Sequence, residues 1–138
     1  MTMNVRRVAA TMAVVALAIA GAPAVHAEGD KVTPVSSEKL PNVPGKSLTA
    51  VVVNYAPGGK SASHHHAGSV LAYVLSGSIR SENSATGPAR VYKAGESFFE
   101  PPGSEHLVSE NASTTEPASL LAIFVADDGA QLTTFEKK

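Results

Sequence analysis

The sequence predicts an all-β sandwich or barrel in a single domain. Three observations carry this. From Ser47 onward, short segments rich in β-branched, aliphatic and aromatic residues recur at regular spacing. Gly, Pro and Ser sit between them, and no segment sustains a helical period. Evenly spaced short strands with such turns are the pattern of sandwiches and barrels. A length of 138 residues fits one domain.

The chain opens on a targeting segment. Arg6 and Arg7 give a short positive region, and Val8 to Ala20 is an apolar run of thirteen residues. That run is too short to span a bilayer. Val25-His26-Ala27 resembles an A-x-A cleavage site, so residues 1–27 read as a secretory signal peptide cut after Ala27. The expected location is the periplasm or outside the cell, with no membrane association after cleavage. The mature chain keeps 12 acidic residues and nine Lys plus Arg, since Arg6 and Arg7 leave, for a net charge of 9 − 12 = −3. So mild a charge argues against a nucleic-acid partner. The chain has no cysteine. An exported domain of this kind has no disulfide framework, and thiolate metal sites and cysteine nucleophiles are excluded.

Residues 28–46 contain Pro34, Pro41, Pro44, Gly29 and Gly45 and read as an extended arm with at most a short edge strand. The barrel is expected over 47–128. Its strand candidates are 48–56, 70–82 with a bend at Ser76-Gly77-Ser78, 89–95, 96–103 halted by Pro101-Pro102, 105–111 and 118–128. The tail 129–138 either adds a last short strand or stays loose.

The chemistry concentrates in "GGKSASHHHAG" and "EPPGSEH". On a strand, side chains at i and i+2 leave the same face, so His64 and His66 converge while His65 points away. A third ligand has to come from elsewhere, and His106 is the remaining mature-chain histidine outside the triplet. Three neutral imidazoles with open positions suit Fe, Zn, Mn, Cu or Ni, one divalent transition metal per chain. The competing reading is an exposed polar tract with no resident metal.

Gly58 is followed by five residues and then His64-His65-His66, with Gly77 closing the stretch. Gly95 is followed by five residues and then Pro101-Pro102-Gly103, two residues and His106, with Asn111 one position late. This pair of motifs resembles the cupin superfamily, whose motifs are written G-x5-H-x-H-x3,4-E-x6-G and G-x5-P-x-G-x2-H-x3-N. The resemblance implies a jelly-roll β-barrel holding a metal in its mouth, with His64, His66 and His106 on the ligand positions. One position departs from the pattern: the motif glutamate falls at Val70, which cannot bind a metal. Three consequences remain open: a three-histidine site, a replacement carboxylate, or a site that has lost its metal.

Glu100 is the candidate replacement and a candidate catalytic group. If 101–104 formed a hairpin turn, Glu100 would pair with Glu105 and point away from the site; a turn one residue longer or shorter would reverse this. Tyr73 is a second catalytic candidate, provided that strand parity runs unbroken from His66 through Ala67-Gly68. Phe98 and Phe99 are expected to fill the barrel or wall the pocket. Ser104, Glu105 and Ser109 are expected at the surface. Asn111 opens an Asn-Ala-Ser sequon that reads as incidental.

Two function classes follow. One is a metal-dependent enzyme on a small organic molecule, either dioxygenase-like or a Lewis-acid isomerase or decarboxylase. The other is a non-catalytic module that binds a small ligand or a metal. The expected partner is a small molecule, and the arm 28–46 can lie across a second copy in a homodimer.

Overall fold

The computed structural model describes residues 30–137. The expected signal peptide lies outside the described residues. The rest is all-β: eleven strands and, among the described residues, no helix. Every strand pair is antiparallel.

The strands are β1 (Lys31–Lys39), β2 (Lys46–Tyr55), β3 (Lys60–Ser61), β4 (His64–His66), β5 (Ser69–Ser76), β6 (Ser78–Asn83), β7 (Gly87–Lys93), β8 (Ser97–Glu100), β9 (Glu105–Asn111), β10 (Ala118–Asp127) and β11 (Thr133–Phe135). They form two sheets. The first runs β1-β2-β10-β5-β8; the second runs β11-β4-β9-β6-β7, with β3 also on β9. Consecutive strands often lie in different sheets, as in a jelly roll.

Period-2 alternation places the core. In β10, Ala118, Leu120, Ala122, Phe124 and Ala126 are buried, and the residues between them are half-buried. In β5, Val70, Ala72 and Val74 face inward while Leu71, Tyr73 and Leu75 are exposed. β2 adds Val53 and Tyr55, and β8 adds Phe98.

Two glycines make the sheet changes feasible. Gly77 has φ +68°, which bends the chain from β5 into β6. Gly68, between β4 and β5, lies so close to β10 that a Cβ there would collide with the Val125 carbonyl.

The arm differs from expectation. β1 is a nine-residue edge strand paired along β2, not a short one. Pro34 fits there because it sits at a register shift and on the sheet's edge, where a missing N–H costs little.

Candidate metal centre

β4 pairs with β9 so that His64 lies directly opposite His106. Cross-strand partners share a face, and His66 follows His64 by one pleat. The three rings therefore face one interior space. Their centroids are 4.8 Å apart for His64–His66 and 5.0 Å for His64–His106. All three are buried. One ring nitrogen from each comes within 4.8 Å of the others. Two metal–nitrogen bonds of about 2.0–2.1 Å span roughly 4 Å, so one cation can gather them with small ring movements.

Hydrogen bonds select the free nitrogens. His64 Nδ1 lies 2.7 Å from the Ala62 carbonyl and His66 Nδ1 3.1 Å from the Leu132 carbonyl. A carbonyl only accepts, so each Nδ1 carries the proton and each Nε2 presents a lone pair. His106 is oriented the other way: its Nε2 is 2.8 Å from Ser81 Oγ. Its Nδ1 is left facing the interior.

Glu100 is part of this space. It is 3 % exposed. Its Oε2 lies 2.9 Å from His106 Nδ1 and 3.7 Å from His66 Nε2. Yet neither Oε2 nor His106 Nδ1 makes an aligned hydrogen bond. Buried polar atoms are ordinarily paired. Two that are orphaned while adjacent point at something between and beside them, which is what a bound cation supplies. The residues present thus fit a divalent metal.

The hairpin turn that would have turned Glu100 outward does not exist. β8 belongs to the first sheet and β9 to the second, so residues 101–104 cross between sheets. Glu100 instead pairs with Val70 on β5 and shares its inward face. Tyr73 needs the opposite correction. It is 42 % exposed and does not line the cavity. Parity cannot run from His66 to Tyr73, because β4 and β5 lie in different sheets and the chain changes sheet at Ala67-Gly68. Phe98 packs inside as expected, with its ring centroid 5.8 Å from that of His106, whereas Phe99 is exposed.

The cavity holds about 190 Å³. Val51, Val53, Ala72, Leu120, Ala122 and Phe124 make its apolar wall. Val32 on β1 and Phe135 on β11 are exposed as well as lining, so the terminal strands frame the mouth.

Across from the histidines is a hydroxyl cluster that the sequence reading missed. Tyr55 Oη is 2.7 Å from Ser109 Oγ and 3.0 Å from Ser61 Oγ, and Ser61 donates to the Asp30 carboxylate. Tyr55 was legible in principle, being in phase with Val51 and Val53. Ser109 was not. β9 carries an extra residue between the positions opposite Asn83 and Glu82, and this bulge turns both His106 and Ser109 inward, three positions apart.

Electrostatics follow from burial. Loss of water pushes the His64 and His66 imidazoles below their ordinary pKa, which the Glu100 charge only partly offsets, so both favour the neutral form that ligates a metal. Burial pushes Glu100 upward, but His106, His66 and His64 outweigh it and hold the carboxyl below its usual range. Burial raises the Tyr55 phenol, opposed by its two serine hydrogen bonds.

The sequence profile of the cupin domain matches residues 51–124. The chain belongs to the cupin family. It is 32 % identical over 100 residues to germin-like protein subfamily 2 member 2 of Arabidopsis thaliana, covering 70 % of this chain and 45 % of that one. The cupin chain therefore spans less than half the length of this relative. Among solved structures, a double-stranded β-helix protein from Klebsiella pneumoniae is 28 % identical with a TM-score of 0.54, covering 66 % of this chain and 76 % of that one. Lactobacillus farciminis oxalate decarboxylase, in complex with formate, aligns at a TM-score of 0.62 and 20 % identity, covering 78 % of this cupin and 31 % of the decarboxylase. At that identity the likeness is one of fold.

Proposed function

We propose that this cupin is an exported metal-dependent enzyme acting on a small, largely uncharged, oxygen-bearing organic molecule. The observation that carries the reading is the convergence of His64, His66 and His106, beside the Glu100 carboxyl, on a cavity that opens at one mouth. A divalent transition metal held by the three imidazoles would supply Lewis acidity or, as iron, oxygen activation.

The chain's own residues would do the rest. The apolar wall from Val51 to Phe124 excludes water and suits a small substrate. Among the described residues no lysine or arginine lines the cavity, so none of them offers an anionic group on the substrate a side-chain counter-ion. Tyr55 keeps its phenol proton at neutral pH, as any tyrosine with a pKa of about 10 does and more firmly for being buried, and can donate a hydrogen bond to a substrate oxygen. Its proton has a path through Ser61 to Asp30 at the mouth. An enzyme needs such a group within reach of the reacting atoms. A solved cupin-fold neighbour is an oxalate decarboxylase, which gives a precedent for small-molecule chemistry in this fold. The support for export is the segment from Arg6 to Ala27.

Elemental analysis tests the reading. Purified protein is expected to carry close to one transition metal per chain, and His64→Ala/His106→Ala is expected to carry almost none. Full occupancy in that variant would remove the site. Protein reconstituted with Fe(II), Mn(II) or Zn(II) is then incubated with catechols and β-diketones. Turnover lost in the double variant supports an enzyme; binding without turnover of any of them supports the binding module instead.

A further inference from the structure

The cavity's two walls differ in kind, and Glu100 breaks the pattern of its own wall. Apart from Glu100, the buried residues of the first sheet are apolar or, in Tyr55, aromatic. A carboxylate in such a wall needs a compensating partner or it costs several kcal/mol. The side chains near enough are His106 and His66, and neither is aligned to satisfy it.

The register explains where this carboxylate came to be. Glu100 on β8 stands directly opposite Val70 on β5, and both side chains point into the barrel, 3 % and 1 % exposed. Val70 occupies the place where the first cupin motif carries its glutamate. Opposed residues of an antiparallel pair have Cβ atoms about 4.5–5.5 Å apart, well within the reach of a glutamate side chain. A carboxylate at 100 can therefore reach the space that one at 70 would fill.

We propose that Glu100 is a metal ligand: the carboxylate of the centre has moved one strand over, from the position of Val70 to that of its cross-strand partner. This rests on the three-histidine reading above and deepens it. The centre then has three imidazoles and one carboxylate, built from β4, β9 and β8, and the position expected to carry the acid is a packing residue. Glu100 Oε2 and His106 Nδ1 are orphaned together because both aim at the cation's place.

The test is a swap, read by titrating Co(II) and Zn(II) into metal-free protein. Glu100→Val is expected to weaken binding by at least about tenfold, the scale on which even indirect partners of a metal act. The exchange Val70→Glu/Glu100→Val restores a carboxylate to the same face from the other strand and is expected to recover most of the loss. Parent-like affinity in Glu100→Val, or an exchange variant no better than the single one, would overturn the proposal. His64→Ala/His106→Ala run alongside separates the two ideas: if it loses metal while Glu100→Val does not, the histidine site stands and the relocated ligand falls. Should the exchange variant not fold, Glu100→Ala loaded with Co(II) gives the answer. Loss of an inner-sphere oxygen changes the visible d–d bands, and an unchanged spectrum would refute ligation.

Discussion

The two sheets of this barrel share one interior but line it with opposite chemistry. Of thirteen buried apolar and aromatic residues among those described, twelve come from the first sheet and only Ile79 from the second. Of eight buried polar or charged residues, seven come from the second sheet and only Glu100 from the first. One wall is dry and stabilises the fold. The other wall is polar, hydrogen-bonded and positions the imidazoles. The difference teaches a division of labour: burial of apolar area on β2, β5 and β10 offsets the cost of holding three histidines, two serines and two asparagines out of water on β4, β6 and β9.

If that division holds, substitutions should sort by wall. The largest stability loss is expected on the dry side. Phe124 is 5 % exposed, and its ring meets His66 edge-on at 5.0 Å. Phe124→Ala should cost about 3–5 kcal/mol by chemical denaturation. It should also loosen metal binding, because His66 loses the ring that backs it. A cost below about 1 kcal/mol would mean that the dry wall is not what holds the barrel together.

The polar wall should instead show itself in pH dependence. His64 and His66 have folded-state pKa values below the ordinary one. In the window just below the unfolded value of about 6.5, the unfolded chain therefore binds more protons than the folded one. Stability must rise with pH through that window and fall on acidification. Metal-free protein should therefore lose stability between pH 7.5 and 5.5, measured by urea unfolding. Glu100 does not oppose this, since its lowered pKa gives stability that is lost only at still more acidic pH. A flat profile would place the two imidazoles in water rather than in the barrel.

The sequence showed what is local and hid what depends on sheet membership. Strand positions, the inward pair His64 and His66 and the third ring at His106 follow from alternation and spacing, and all three rings meet. The sequence-based places of Glu100 and Tyr73 depend on carrying parity through a turn. Parity holds only within one sheet, and at Ala67-Gly68 and at 101–104 the chain leaves one sheet for the other. Ser109 was hidden by a one-residue bulge in β9, which leaves no trace in composition. The long β1 was obscured by its prolines, because edge position excuses what a central strand would not tolerate.

The finest expected contrast sets two tyrosines on opposite faces of the same sheet. Tyr55 faces the cavity, 3 % exposed, with its hydroxyl between Ser109 and Ser61. Tyr73 faces out from β5 beside exposed Leu71, Leu75 and Phe99. Removing one oxygen from each isolates the effect of the face. Tyr55→Phe breaks buried hydrogen bonds and should cost about 1 kcal/mol. It should also reduce binding of any oxygen-bearing ligand that the cavity accepts. Tyr73→Phe takes away a hydroxyl for which water stands ready, so its stability should stay within about 0.5 kcal/mol of the parent and its metal affinity should not move. Thermal melts and metal titrations of the pair read both quantities. If the two substitutions behaved alike, the phenol at 55 would have no share in the interior chemistry, and a proton route from the cavity to Asp30 would have to start from another side chain.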